Sequence, residues 1–270
     1  MAGLAVQSLD RKDLEVRLVH DGRVGLKFAE LWSWMLRPGR FLMDCVPAED
    51  SAAVQGAPLR TTFLNAGLRR ARGRVLVPLM PGDRIHPKAL ERMASALDSK
   101  PGLAHANWLR LGPLAGVQRA STCTSKLKRR NGLGPRPAFS RELLEAGVHP
   151  RPGTPMGWDL ALQAVQAGFP LKRVPDNLLT LTPALPAFKD RSEERRRARL
   201  VTANPAFFAA ETLAWALAVL RHEAWALGSV PGRIPQPREV ARLKDRHVRS
   251  LMREEQYPPE FMAGLLPSGA

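Results

Sequence analysis

The sequence predicts an α/β fold, a mostly parallel central sheet flanked by helices, followed by a C-terminal helical tail. Three observations lead there. Strand-like apolar runs alternate with helix-like periodicity, the pattern of parallel strands joined by right-handed crossovers. The run Val75 to Leu79 is apolar without alternation, as expected of a strand covered on both faces. Hydrophobic residues make up 44% of a 270-residue chain, enough for one sizeable core and a smaller appendage. The expected division is a domain over residues 1–188 and a basic helical extension over 189–270.

Residues 4–9 read as the end of a helix, and Leu14 to Val19 as a strand leading into His20-Asp21-Gly22-Arg23. Residues 26–36 carry apolar side chains at helical spacing and stop at Pro38-Gly39. Trp32 and Trp34 in that helix suit core or surface packing better than a sugar platform. Another strand follows over 40–46. Asn65 to Arg72 is the end of a helix stopped by Gly73, the strand Val75 to Leu79 comes next, and after a turn a second helix starts near Pro87 and runs to 97. In an open α/β sheet the ligand lies beyond the carboxyl ends of the strands, which puts Met80, Pro81, Gly82 and Asp83 at the candidate site.

Pro101-Gly102 leads into a strand from Ala104 to Leu111. Residues 112–138 lack pattern, are rich in Gly, Pro and Ser, and cluster Lys126, Lys128, Arg129 and Arg130; so long a stretch is as a rule functional or mobile. Ser140 to Gly147 is a short helix with a Ser cap and a Gly stop. A turn and helix over 153–168 precede a strand from Leu171 to Val174. The charged run 189–199 starts the helical tail. Residues 205–227 are too apolar for a free surface helix; they pack, dimerise or lie in a membrane interface. A Pro-rich connector at 229–237 and a basic helix over 238–255 complete the chain.

Lys and Arg number 41 against 25 acidic residues, a net charge of +16. Such a field attracts nucleic acid, anionic lipid, acidic polysaccharide or nucleotide diphosphates, and a genome rich in Arg codons would give the same excess without function. Nucleic acid ranks last, because no helix-turn-helix, zinc pattern or RNA-recognition motif is present and aromatics are not interleaved with the basic runs. Cys45 and Cys123 form neither a metal motif nor a disulfide framework, which suggests free buried thiols in a reducing compartment. The start MAGLAVQSLDRKD has no secretory pattern, and no run of eighteen apolar residues is present. The expected location is cytoplasmic, with a peripheral place at the inner face of the membrane open to so basic a chain.

Asn65, Ala71, Gly73, a strand, a turn containing Asp83, and Pro87 together resemble the core of family 2 glycosyltransferases, which have the A-type, Rossmann-like glycosyltransferase fold. In that family the turn after the strand is Asp-x-Asp and holds a divalent metal on the sugar-nucleotide diphosphate. Here Met80 and Gly82 stand at the customary ligand positions and Asp83 is the remaining carboxylate. The resemblance continues in order. The strand ending at His20-Asp21-Gly22 corresponds to one whose terminal turn contacts the base, with His20 at the first position and Asp21 at the second; a plain β-turn explains the same dipeptide. Met156-Gly157-Trp158-Asp159 corresponds to the Glu-Asp-Trp-Asp turn whose first Asp deprotonates the acceptor. Only a short segment precedes the first match, so the resemblance implies either a start placed too late, a truncated gene, or a domain that has lost its first strand.

The resemblance implies a hexosyltransferase-type enzyme of polysaccharide biosynthesis. It would move a sugar from a nucleotide-sugar donor to a glycan or lipid-linked acceptor by in-line displacement, with a general base on the acceptor. It further implies donor binding by His20, Asp21, Asn65, Asp83 and Arg84, and an acceptor contact at Trp158. Asp159 fits two roles, a displaced acceptor base or a helix N-cap. A Mg or Mn ion would find Asp83 and, weakly, His86, a thin ligand set for a cation that usually takes one or two carboxylates plus phosphates. Arg84 or the Lys126 to Arg130 cluster, the latter also readable as a diphosphate clamp or a solvated loop, could supply positive charge instead. The departures leave a second function open: a silent relative serving as a binding or scaffold subunit, as a homodimer or beside a partner glycosyltransferase.

Overall fold

The computed structural model describes residues 7–9, 13–20, 42–47, 59–80, 83–110, 116–134, 136–181, 192–228 and 232–253. In chain order the strands are β1 (Glu15–His20), β2 (Leu42–Pro47), β3 (Val75–Leu76), β4 (Arg84–Ile85), β5 (Leu103–Arg110), β6 (Gly116–Gln118), β7 (Ala138–Ser140) and β8 (Leu171–Leu181). The helices are α1 (Leu59–Arg70), α2 (Ala89–Asp98), α3 (Thr124–Leu127), α4 (Arg141–Glu145), α5 (Met156–Gln166), α6 (Ser192–Ala203), α7 (Ala210–Leu220) and α8 (Pro237–Arg253). The chain divides into two compact units, residues 1–127 with 131–188, and residues 128–130 with 189–270.

In the first unit β1 and β2 pair in parallel. A second sheet of six strands runs β3-β7-β5-β8-β4, with β6 added to β5. The architecture is α/β as expected, but this sheet is mixed rather than mostly parallel. Among the described residues β5 and β8 form its parallel pair, and four pairings are antiparallel. Two further expectations change. Strand β3 stops at Leu76 because Pro78 has no N–H for the ladder, and a strand with such a proline belongs at a sheet edge, where β3 lies. Residues 7–9 are not the end of a helix. Gln7 instead accepts the Leu90 N–H at 3.1 Å, and the Ser8 N–H donates to Pro87 O at 2.9 Å, so this segment satisfies the start of α2.

Helices cover both faces. Ala89, Met93 and Leu97 of α2, four residues apart, meet Ala104, Ala106, Ala138 and Val174 on one face. On the other, Leu68 of α1, Leu143 of α4 and Leu160 and Ala164 of α5 meet Leu76, Leu103 and Phe139. Neighbours such as Leu103 and Ala104, or Ala138 and Phe139, serve opposite cores because successive strand side chains alternate. Burying these apolar groups on two faces is the main favourable term for the unit.

Strand β8 reaches past the expected end at Val174. Pro175 has no amide proton, and the register against β5 jumps from Ala106↔Val174 to Asn107↔Asn177 and then Trp108↔Leu179. Asn107 bridges the gap, donating from Nδ2 to Pro175 O at 2.5 Å and accepting the Ala120 N–H on Oδ1 at 3.0 Å. Beyond the bulge β8 pairs with β4, Ile85↔Leu179 and Arg84↔Thr180.

In the second unit Leu200, Val201, Trp215, Ala216, Val219 and Ile234 are buried, so the apolar segment around α7 packs within its own unit. The Trp215 indole N–H donates to Ala226 O at 3.1 Å. Helix α7 ends with His222 at φ 65 in a Schellman arrangement, with the Glu223 N–H on Ala218 O at 2.9 Å. Arg129 O accepts the Ile234 N–H at 2.7 Å, so the basic triplet 128–130 belongs to this unit rather than to a free loop. Cys123 is exposed, not the buried thiol expected. The 26–36 helix with Trp32 and Trp34 falls outside the described residues, as does the side chain of Cys45.

His105 on β5 is 1% exposed, and its Nδ1 lies 3.2 Å from Leu133 O. Burial pushes its pKa from 6.5 to about 3. The unfolded chain takes up a proton near pH 6.5 that the folded chain refuses, so this group's contribution is complete above that pH. Below it, stability should fall by about 1.4 kcal/mol per pH unit until about pH 3. Denaturation midpoints from pH 4 to 7 should therefore drop less steeply for His105→Gln than for the wild type, and equal slopes would refute the assignment. Asn107→Ala should cost about 1–3 kcal/mol, since it strips partners from two backbone groups, of which the Ala120 N–H is buried; a urea midpoint unchanged from wild type would show that the bulge does not need the amide.

Candidate functional site

The candidate site is built around a turn, and a clamp precedes it. At Ala71 to Gly73 the chain leaves α1 for β3. Its amides go to one acid: Glu15 Oε2 accepts the Arg72 N–H at 2.7 Å and the Gly73 N–H at 3.1 Å. Its carbonyls go to one base: Arg141 Nη2 donates to Ala71 O at 2.5 Å and to Gly73 O at 3.0 Å. Charge-assisted bonds to both ends fix where β3 begins. Gly67, one turn back on α1, sits where an added Cβ would come within 2.8 Å of Val19 Cγ2, so the helix lies directly on β1.

After β3 the chain turns at Met80 to Asp83. The Asp83 N–H donates to Met80 O at 3.0 Å, and Asp83 Oδ2 accepts the Met80 N–H at 2.9 Å. The same oxygen accepts Arg136 Nε at 2.6 Å, with the Asp83 and Arg136 side chains only 7% and 16% exposed. Sequence reasoning missed Arg136, because it lies inside a patternless stretch and no short-range signal ties residue 136 to residue 83. Arg84 is exposed on β4. His86 is exposed too, and its Nδ1 accepts the Lys88 N–H at 3.2 Å at the start of α2.

Asn65 donates from Nδ2 to Pro150 O at 3.0 Å, which ties α1 to the loop before α5. That loop is anchored again by Asp159, which is 0% exposed. Its carboxylate accepts Arg151 Nε at 3.0 and 3.1 Å, Thr154 Oγ1 at 3.1 Å and Gln163 Nε2 at 3.0 Å, and Arg151 Nη2 bonds to it as well. Asp159 is not an N-cap, because α5 starts at Met156 after Pro155. The carboxylate is spent on its own loop. Trp158 is 2% exposed and its indole N–H donates to Leu127 O at 2.7 Å, so the ring offers no open face to an acceptor in this structure. A Cβ on Gly157 would lie 2.2 Å from Gly134 O, so the position that aligns with a carboxylate in the resembled family has no room for a side chain here.

His20 closes β1 in register with Pro47, while Asp21, Pro81 and Gly82 lie outside the described residues. The structure thus keeps Asp83, Arg84 and His86 in one stretch, while Asn65 of α1 and Asp159 of α5 both anchor the loop before α5. An open cavity of about 350 Å³, lined by Lys100, Thr122, Thr124 and Phe169 among others, lies at the amino end of β8. Asp83 lies by the other end of that strand, where an α/β sheet binds its ligands, so the cavity is not the candidate site.

A divalent cation fits this turn poorly. The one carboxylate on the turn is engaged by a guanidinium and an amide, the nearby imidazole Nδ1 is engaged by a backbone N–H, and no group of three or more His, Cys, Asp or Glu side chains suited to a metal occurs among the described residues.

No family model matches the chain, and no curated protein matches it in sequence. Solved structures do. TarS 1-349 from S. aureus, solved with UDP-GlcNAc, matches over 98% of this chain and 78% of its own, at a TM-score of 0.59 and 12% identity. The mannosyltransferase PcManGT from Pyrobaculum calidifontis, solved with GDP-Man and Mn²⁺, matches over 96% of this chain and 76% of its own, at 0.51 and 18%. The chain therefore shares the fold of these two glycosyltransferases.

If Asp159 serves its loop, Asp159→Asn should lower stability by about 2–4 kcal/mol, less than for a wholly enclosed pair because the Arg151 side chain is 27% exposed. Urea unfolding checks this; an unchanged midpoint would mean the carboxylate is dispensable to the fold and available to a ligand.

Proposed function

We propose that the protein is a glycosyltransferase that binds a nucleotide-sugar donor at the carboxyl edge of its sheet, beside Asp83. It would transfer the sugar to a glycan or lipid-linked acceptor. The observation that carries this reading is the match over 98% of the chain to a fold solved with UDP-GlcNAc bound. The position of the Asp83 turn beyond the carboxyl end of β3 supports it, since that is where an α/β sheet presents ligands. Arg84 and His20 are the further donor contacts we propose, with Asp21. We assign Asn65 and Asp159 to positioning the loop 149–155, and leave Trp158 in the core.

In-line displacement needs positive charge on the leaving diphosphate and a base on the acceptor hydroxyl. The net charge of +16 supports attraction of anionic donors, and of an anionic membrane surface at the inner face of a cytoplasmic membrane. Among the described residues no helix is long and apolar enough to cross a membrane. The enclosed Asp159 favours a second reading, a donor-binding subunit without turnover, acting as a homodimer or beside an active transferase.

Calorimetry with UDP-GlcNAc, UDP-glucose and GDP-mannose, paired with a donor-hydrolysis assay, tests both. Micromolar binding of one donor with slow hydrolysis is the expected result. Binding without any hydrolysis would favour the silent subunit, and no binding of any donor would sink both readings.

A further inference from the structure

We infer that Arg136 holds the place of a divalent cation at the Asp83 turn and supplies the positive charge for the donor diphosphate. The inference rests on the donor reading for its ligand, whereas its statement about metal stands on the turn alone. Three observations converge. Asp83 Oδ2 accepts Arg136 Nε at 2.6 Å, with both side chains largely enclosed. The same carboxylate folds back to take the Met80 N–H at 2.9 Å, so it closes its own turn instead of facing outward. His86, the other candidate ligand, spends Nδ1 on the Lys88 N–H.

A cation placed on this carboxylate would meet a guanidinium already bonded to it. Like charges at that separation repel strongly where water is scarce, and the carboxylate would have to give up a charge-assisted bond first. An arginine fixed in this way needs no metal to hold phosphate, because its planar donors suit phosphate oxygens directly.

The backbone that carries Arg136 explains why the guanidinium arrives here. Gly134 takes φ +79, a conformation that L side chains rarely adopt, and a Cβ there would meet the Trp108 ring at 2.9 Å. Its carbonyl presses onto Gly157, where a Cβ would come within 2.2 Å. Two residues later Arg136 enters the Asp83 turn. A glycine in place of a carboxylate at 157 and an arginine on the carboxylate at 83 are therefore one arrangement. The first admits the Gly134 carbonyl, and the second lies two residues further along the chain.

The test uses the full chain. Titrating it with Mn²⁺ alone and following the free-ion signal by electron paramagnetic resonance should show no stoichiometric uptake. Calorimetry with UDP should give dissociation constants within twofold of each other in EDTA and in Mn²⁺. Arg136→Gln should weaken UDP at least tenfold in EDTA, and Asp83→Asn/Arg136→Gln, which leaves no unpaired charge in the turn and guards against misfolding, should do the same. Uptake of one Mn²⁺ per chain that Asp83→Asn abolishes, or UDP binding that requires Mn²⁺, would overturn the inference. UDP affinity untouched in both variants would remove Arg136 from the site. If UDP bound under no condition, the donor reading and the diphosphate role would fall together, while the Mn²⁺ titration would still decide whether the turn is a metal site.

Discussion

The carboxyl edge of the larger sheet depends on how β5 keeps hold of β8 beyond Pro175. A proline inside a strand removes a ladder donor, and β8 answers with a double shift of register rather than an end. The Asn107 amide bonds to Pro175 O on one side and to the Ala120 N–H on the other, so two backbone groups at the break find partners in a side chain. Everything downstream follows from that repair. Leu179 and Thr180 are brought into register with β4, the His86 N–H reaches Leu178 O at 2.9 Å, and the turn ending at Asp83 is pinned between β3 and β4. A bulge beside a site is a common means of aiming a turn, and here it aims the one that carries the candidate chemistry.

Arginine does much of the remaining holding. Arg141 takes the carbonyls of Ala71 and Gly73, Arg136 takes Asp83, and Arg151 takes Asp159. Arg141 and Arg136 join segments far apart in sequence, while Arg151 closes the loop that leads into α5. Part of the basic excess is thus consumed inside the fold. The field available to an anionic ligand or surface is smaller than +16 suggests, and it rests more on exposed residues such as Lys126, Lys128, Arg129 and Arg130.

What was legible in the sequence was what local physics controls. The periodicity of α2, the stop at Gly73, the strand near Ala104 and the order of motifs up to residue 182 all rest on short-range rules, and they sufficed for the α/β class and the glycosyltransferase-like fold. Strand ends and strand directions were not legible. Val75 to Leu79 read as one buried strand, yet Pro78 ends its ladder. Val174 read as the end of β8, yet the side chain of Asn107, sixty-odd residues earlier, carries the strand on. The site shows the same division. Asp83 stood out as the last carboxylate of a turn, but its partner lies 53 residues away and no pattern links them. Asp159 read as a cap or a base, because neither Arg151 nor Gln163 declares from sequence that both will point at it.

These long-range pairings also change how the departures from the family pattern are to be read. Taken one at a time, Met80, Gly82, Met156 and Gly157 are missing carboxylates, and a site that has lost four acids looks merely decayed. Packing argues otherwise for Gly157. Decay would leave room where a side chain was removed, whereas the Gly134 carbonyl now occupies that room so closely that an Asp could not return without moving the turn that carries Arg136. Asp159 is bound on every side by side chains of its own loop and helix. A carboxylate abandoned by function would tend to drift into water rather than remain wholly buried in a saturated cluster, since burying a charge is tolerated only when it is fully paired. The acids that remain have been built into the frame, and the charges that answer them are arginines.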